Sequence, residues 1–89
     1  MAERREVHYS GRVQGVGFRF TAREVASHYA VTGYVQNLSD GRVRLVCEGE
    51  PAELDKFLRD LQFRMEGKID NVTFDHQLAS GEFSGFTIR

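Results

Sequence analysis

Val13-Gln14-Gly15-Val16-Gly17-Phe18-Arg19 is the stretch in which two closely spaced glycines and a cation stand immediately before a helical pattern. Glycine takes positive φ without a Cβ clash, so a Gly-x-Gly run can turn several backbone N–H groups toward one concave point. A nest of that kind suits phosphate. If a helix opens behind it, the unpaired N–H groups and the positive end of the helix dipole add to the field. Arg19 then supplies a planar, permanently charged fork. The same residues also fit a plain strand-to-helix turn with a surface arginine, and glycine spacing alone leaves both readings open.

Before the cradle, Val7, Tyr9, Gly11 and Val13 alternate with Glu6, His8, Ser10 and Arg12, which predicts a half-buried strand β1 from Val7 to Val13. After it, Ala22, Val25, Ala26 and Tyr29 recur at helical spacing, which predicts α1 ending near Ala30 or Val31. Gly33 frees the chain to turn. Tyr34 to Leu38 then reads as β2, running into Ser39-Asp40-Gly41, where Asp-Gly is a strong hairpin signal. Val43, Leu45 and Cys47 mark β3 as the antiparallel neighbour of β2. Pro51 suits the first turn of a helix, and Leu54, Phe57, Leu58 and Leu61 carry α2 to about Arg64. Alternation of Val72, Phe74, His76 and Leu78 predicts β4 from about Ile69 to Leu78, and Phe86 and Ile88 suggest a short β5 on a sheet edge.

The order βαββαβ plus a short strand is the α+β, ferredoxin-like split βαβ plan: an antiparallel sheet with two helices on one face. A chain of 89 residues is expected to form one domain, residues 1–89. Many activities use this plan, so function has to come from the site. Apolar residues make up 40% and charged residues 28%, and the formal net charge of −1 offers no overall pull toward nucleic acid or acidic membrane. Anion binding is therefore expected to be local. Cys47 is the only cysteine, which excludes an internal disulfide and suits a reducing cytoplasm. The charged start Met1-Ala2-Glu3-Arg4-Arg5-Glu6 has no apolar run behind it long enough for a signal peptide or membrane span, so a cytoplasmic location is expected.

Gly11-Arg12-Val13-Gln14-Gly15-Val16-Gly17-Phe18-Arg19 followed by Gly33-Tyr34-Val35-Gln36-Asn37-Leu38-Ser39-Asp40-Gly41-Arg42-Val43 resembles the signature pair of the acylphosphatase family. Phe83-Ser84-Gly85-Phe86-Thr87-Ile88-Arg89 is similar to that family's terminal strand, so the resemblance spans essentially the whole chain. It implies a small enzyme that hydrolyses the carboxylic–phosphoric anhydride of acyl phosphates without metal or organic cofactor. By position it makes Arg19 the phosphate-binding arginine and Asn37 the residue that orients the attacking water. The backbone of Gln14, Gly15, Val16, Gly17 and Phe18 would hold the remaining phosphate oxygens. Inorganic phosphate is then both product and inhibitor, and a monomer is expected. Two positions depart from the family pattern: Tyr34 stands where Trp is common, and the often proline-containing link after α2 is Met65-Glu66-Gly67-Lys68.

An arginine does not surrender its proton and an amide is no base, so neither Arg19 nor Asn37 can deprotonate water. The nearest candidate base is an oxygen of the bound substrate's own phosphate, which makes the implied mechanism substrate-assisted. Rival readings are weaker. Gly-Val-Gly-Phe-Arg-Phe superficially resembles an RNA-recognition strand motif, but it follows the first strand rather than lying on an inner one. A maturation-factor domain that binds carbamoyl phosphate uses a similar cradle within a much longer chain. A module that holds an anion without turnover remains the main non-enzyme alternative. His8, His28 and His76 lack metal-ligand spacing, Asp40 fits a turn, Arg42 and Arg44 fit a solvated strand face, and the seven phenylalanines read mostly as core or sheet face.

Overall fold

The computed structural model describes all 89 residues, Met1–Arg89. In chain order the elements are β1 Glu3–Gly11, α1 Phe18–Ala26, β2 Thr32–Asn37, β3 Val43–Gly49, α2 Pro51–Arg64, β4 Ile69–Leu78 and β5 Phe86–Ile88. The sheet order is β4-β1-β3-β2-β5. Pairs β1·β3, β1·β4 and β2·β3 are antiparallel, whereas β5 runs parallel to β2, so the sheet is mixed rather than wholly antiparallel as expected. The reason is the connection from β4 to β5, which passes from one edge of the sheet to the other.

Pairing of Val7 with Leu45, Tyr9 with Val43 and Val35 with Leu45 puts these side chains on one face. Both helices cover that face. Phe18, Ala22 and Val25 of α1 and Leu54, Phe57 and Leu61 of α2 close the core over the sheet, each at most 2% exposed. Cys47 sits in this core, and burial pushes its thiol up to about 12, so it behaves as a small hydrophobe.

On the opposite face the 79–85 connection lies across the strands. Glu48 of β3 accepts from the main-chain N–H of Ser80 (2.8 Å), the Ser80 hydroxyl (2.8 Å) and the N–H of Gly81 (2.9 Å). Arg4 of β1 pairs with Glu82 at 2.8 Å and lies 3.6 Å from Glu48. Phe83 packs edge-on against Tyr34 of β2, with ring centroids 5.8 Å apart. Tyr34 is thereby buried under an aromatic ring and the Arg89 guanidinium, 3.7 Å from its centroid.

Two further boundaries differ from expectation. β1 starts at Glu3 and ends at Gly11, because its charged start is paired at both edges and its side chains find distant partners; Arg5, for example, pairs with Asp55 at 2.6 Å. Val13 lies beyond the strand yet is fully buried. α1 stops at Ala26, where the N–H groups of His28 and Tyr29 turn back to carbonyls three residues earlier. Gly33, expected to release a turn, lies inside β2. A Cβ there would come 1.9 Å from the carbonyl oxygen of Val46, so the close approach of two strands requires glycine.

Candidate active site

The cradle lies where β1 hands over to α1. Gly15 and Gly17 have φ of 75° and 78°, in the left-handed region that a Cβ disfavours. Gly17 is the N-cap of α1 and no side chain caps the helix. The first helical bond runs from the Thr21 N–H to the Gly17 carbonyl at 2.9 Å, which leaves the N–H groups of Phe18, Arg19 and Phe20 without helical acceptors. No acidic residue stands in this first turn, whereas α2 carries Glu53 in its own. The positive end of α1 is therefore free for an external anion.

Sheet order brings Asn37 to the same end. Val43 of β3 pairs with Tyr9 on one side and Asn37 on the other, so the end of β2 lies two strand spacings, about 10 Å, from the end of β1. One pocket of about 210 Å³ gathers Gly15, Gly17, Arg19 and Asn37 with an apolar set, Val13, Phe18, Phe20 and Ile88. An Arg19 guanidinium nitrogen donates to the main-chain carbonyl oxygen of Arg89 at 3.3 Å. No Asp or Glu side chain lies within ion-pair distance of it.

Gln14 and Val16 do not line the pocket. The side-chain amide of Gln14 instead donates to the carbonyl oxygens of Leu38 (2.7 Å) and Arg42 (2.9 Å), tying the cradle to the β2–β3 hairpin. Asp40 accepts from the main-chain N–H of Arg42 at 3.1 Å and pairs with its guanidinium at 2.9 Å. Those bonds hold its carboxyl below the usual range, which suits a turn residue and not a proton donor. Arg44 pairs with Glu6 at 3.1 Å, so both arginines of β3 and its turn are compensated. Phe20 and Ile88 are pocket residues that the sequence reading passed over, Ile88 as part of an edge strand and Phe20 because an aromatic in a helix reads as core; Phe20 is 59% exposed.

A larger depression, about 680 Å³, lies between α2 and β4, with Arg59, Gln62, Phe63 and Asp70 among its walls. It has no glycine nest and no helix N-terminus, so size does not make it the better anion site. No three His, Cys, Asp or Glu side chains are grouped to hold a metal ion, and no helix is long and apolar enough to cross a membrane.

Comparison with known proteins shows the family. A family profile described as Acylphosphatase matches residues 5–88. An acylphosphatase of Rubrobacter xylanophilus is 42% identical over 98% of this chain and 80% of its own length. The crystal structure of the Bacillus subtilis acylphosphatase superposes with a TM-score of 0.88 at 29% identity, covering 100% of this chain and 99% of that one. Full-length HypF, in a phosphate- and nucleotide-bound form, contains a similar region: TM-score 0.85 and 28% identity over 100% of this chain, but only 12% of HypF. A cradle at an uncapped helix end, an arginine, an asparagine and a match along nearly the whole chain lead to one conclusion: this chain belongs to the acylphosphatase family.

Proposed function

We propose that this enzyme hydrolyses acyl phosphates to a carboxylate and inorganic phosphate in the pocket between the Gly15–Gly17 cradle and Asn37. The observation that carries the reading is that one pocket holds Gly15, Gly17, Arg19 and Asn37 at the uncapped, acid-free start of α1. In it the phosphoryl group lies against the N–H groups of the cradle and first turn, from Gln14 to Phe18, with Arg19 on its equatorial oxygens. Asn37 holds a water in line with the bond to be broken. The water oxygen attacks phosphorus, the bond from phosphorus to the acyl oxygen breaks, and its electron pair leaves with the carboxylate. The water proton passes to a non-bridging phosphate oxygen, since Arg19 and Asn37 offer no base.

The reaction as written uses no metal and no organic cofactor, and residues 1–89 act as one monomeric domain with no nucleic-acid or membrane partner. A reducing cytoplasm suits the single buried thiol of Cys47. The alternative is a module of the same fold that holds phosphate without turnover. Phosphate release from benzoyl phosphate, measured against a no-enzyme control, separates the two. Turnover supports the enzyme; binding of inorganic phosphate with benzoyl phosphate decaying at the background rate supports the module.

A further inference from the structure

We propose that Phe20 forms an acyl subsite that selects acyl phosphates with aromatic or bulky apolar acyl groups over acetyl phosphate; this inference rests on the function proposed above. The polar members of the pocket are all taken up by the phosphoryl group and the water, yet the same pocket continues to Phe20 and Ile88. Val13 and Phe18, its other apolar walls, are at most 2% exposed and belong to the core. Phe20 is different, because its ring is 59% exposed one residue after Arg19. The guanidinium of Arg23, one turn along α1, lies 5.6 Å from the ring centroid and steadies it.

Direction of attack fits the same assignment. In an in-line displacement the carboxylate leaves on the side of phosphorus away from the water. Asn37 puts the water at the sheet end of the pocket, whereas Phe20 comes from the helix packed above that sheet. Ile88, paired with Val35 two residues before Asn37, closes the floor. A planar aromatic acyl group leaving toward α1 meets the Phe20 ring, while an acetyl group is too short to cover it.

The test is the ratio of kcat/KM for benzoyl phosphate to that for acetyl phosphate, in wild type, Phe20→Ala and Phe20→Tyr. The wild type should favour benzoyl phosphate, and Phe20→Ala should lower the ratio about tenfold, the size of one lost aromatic contact. Phe20→Tyr, which keeps a ring, should hold the wild-type ratio. The inhibition constant of inorganic phosphate reports in each variant whether the cradle is intact. An unchanged ratio in Phe20→Ala, with both substrates still turned over, overturns the subsite alone. Failure of the wild type to hydrolyse either substrate overturns the proposed function, and the subsite falls with it.

Discussion

The Gln14 side chain and the Leu38 carbonyl, 24 residues apart in sequence, are joined by a 2.7 Å hydrogen bond that locks the anion cradle to the hairpin bearing Asn37. A second bond from the same nitrogen to the Arg42 carbonyl, at 2.9 Å, makes the link a two-point clamp. Both acceptors are carbonyl oxygens, so the nitrogen of the amide must face them. Under the proposed function, the clamp sets the distance between the phosphate donors and the Asn37 amide, on which in-line geometry depends.

Gln14→Ala should therefore cost only about 0.5–1.5 kcal/mol of stability, because the Leu38 carbonyl still accepts from the Gly41 N–H and the Arg42 carbonyl from the Leu38 N–H. It should also lower kcat more than it raises the inhibition constant of phosphate, since Arg19 and the cradle glycines remain. Chemical denaturation and steady-state kinetics on the same preparation check this. A variant with wild-type stability and wild-type kcat would show that the clamp positions nothing.

Glu48 gives a pH prediction. It is 4% exposed, and although desolvation by burial raises its pKa, the N–H and hydroxyl donors of Ser80 and Gly81, with Arg4 nearby, more than offset that and lower it. A carboxyl with a depressed folded pKa contributes stability above its unfolded pKa, about 4.3, and loses it as pH falls through the folded value. Glu48→Gln should be about 1–3 kcal/mol less stable at neutral pH, because the charged acceptor of three bonds is gone. The gap should close in acid, where wild-type Glu48 is protonated as well. Denaturation across that pH range checks it, and a gap that persists below the folded pKa contradicts it.

How far the fold was legible depends on where each element found its partners. α2 and β4 fall where the pattern predicts because Pro51 starts one and alternation marks the other. The start of β1 was not legible, since Arg4 and Arg5 find their partners at Glu82 and Asp55, far along the chain. The parallel direction of β5 gave no local signal, because it depends on Glu48 and Tyr34 holding a connection over the far face. Within the site, the resemblance pointed to Arg19 and Asn37, and the sheet order puts them at one pocket. Phe20 gave no local signal, because only the packed helix reveals that its ring points away from the core.

The leaving group supplies a further test. An acyl phosphate expels a carboxylate, whose conjugate acid has a pKa of about 4.3, so it departs without a proton. An alkyl monoester expels a far more basic alkoxide, which calls for a positioned acid or a metal ion. With chelator present, kcat/KM should fall steeply from benzoyl phosphate through aryl phosphates to glycerol phosphate. A flat series, or activity lost to EDTA and restored by magnesium or zinc, would reveal an acid or metal that the mechanism omits.

The proposed function divides labour within one pocket: Arg19 and the cradle bind phosphate, and Asn37 places the water. Its most direct test is Asn37→Ala, assayed for kcat on benzoyl phosphate and for competitive inhibition by inorganic phosphate. In this variant kcat should fall about 10²–10³-fold, as for loss of one preorganised group, while the inhibition constant stays at the wild-type value. Arg19→Ala in the same assay should lose both. Folded Asn37→Ala that keeps wild-type kcat, or that loses phosphate binding along with turnover, would contradict this division of roles.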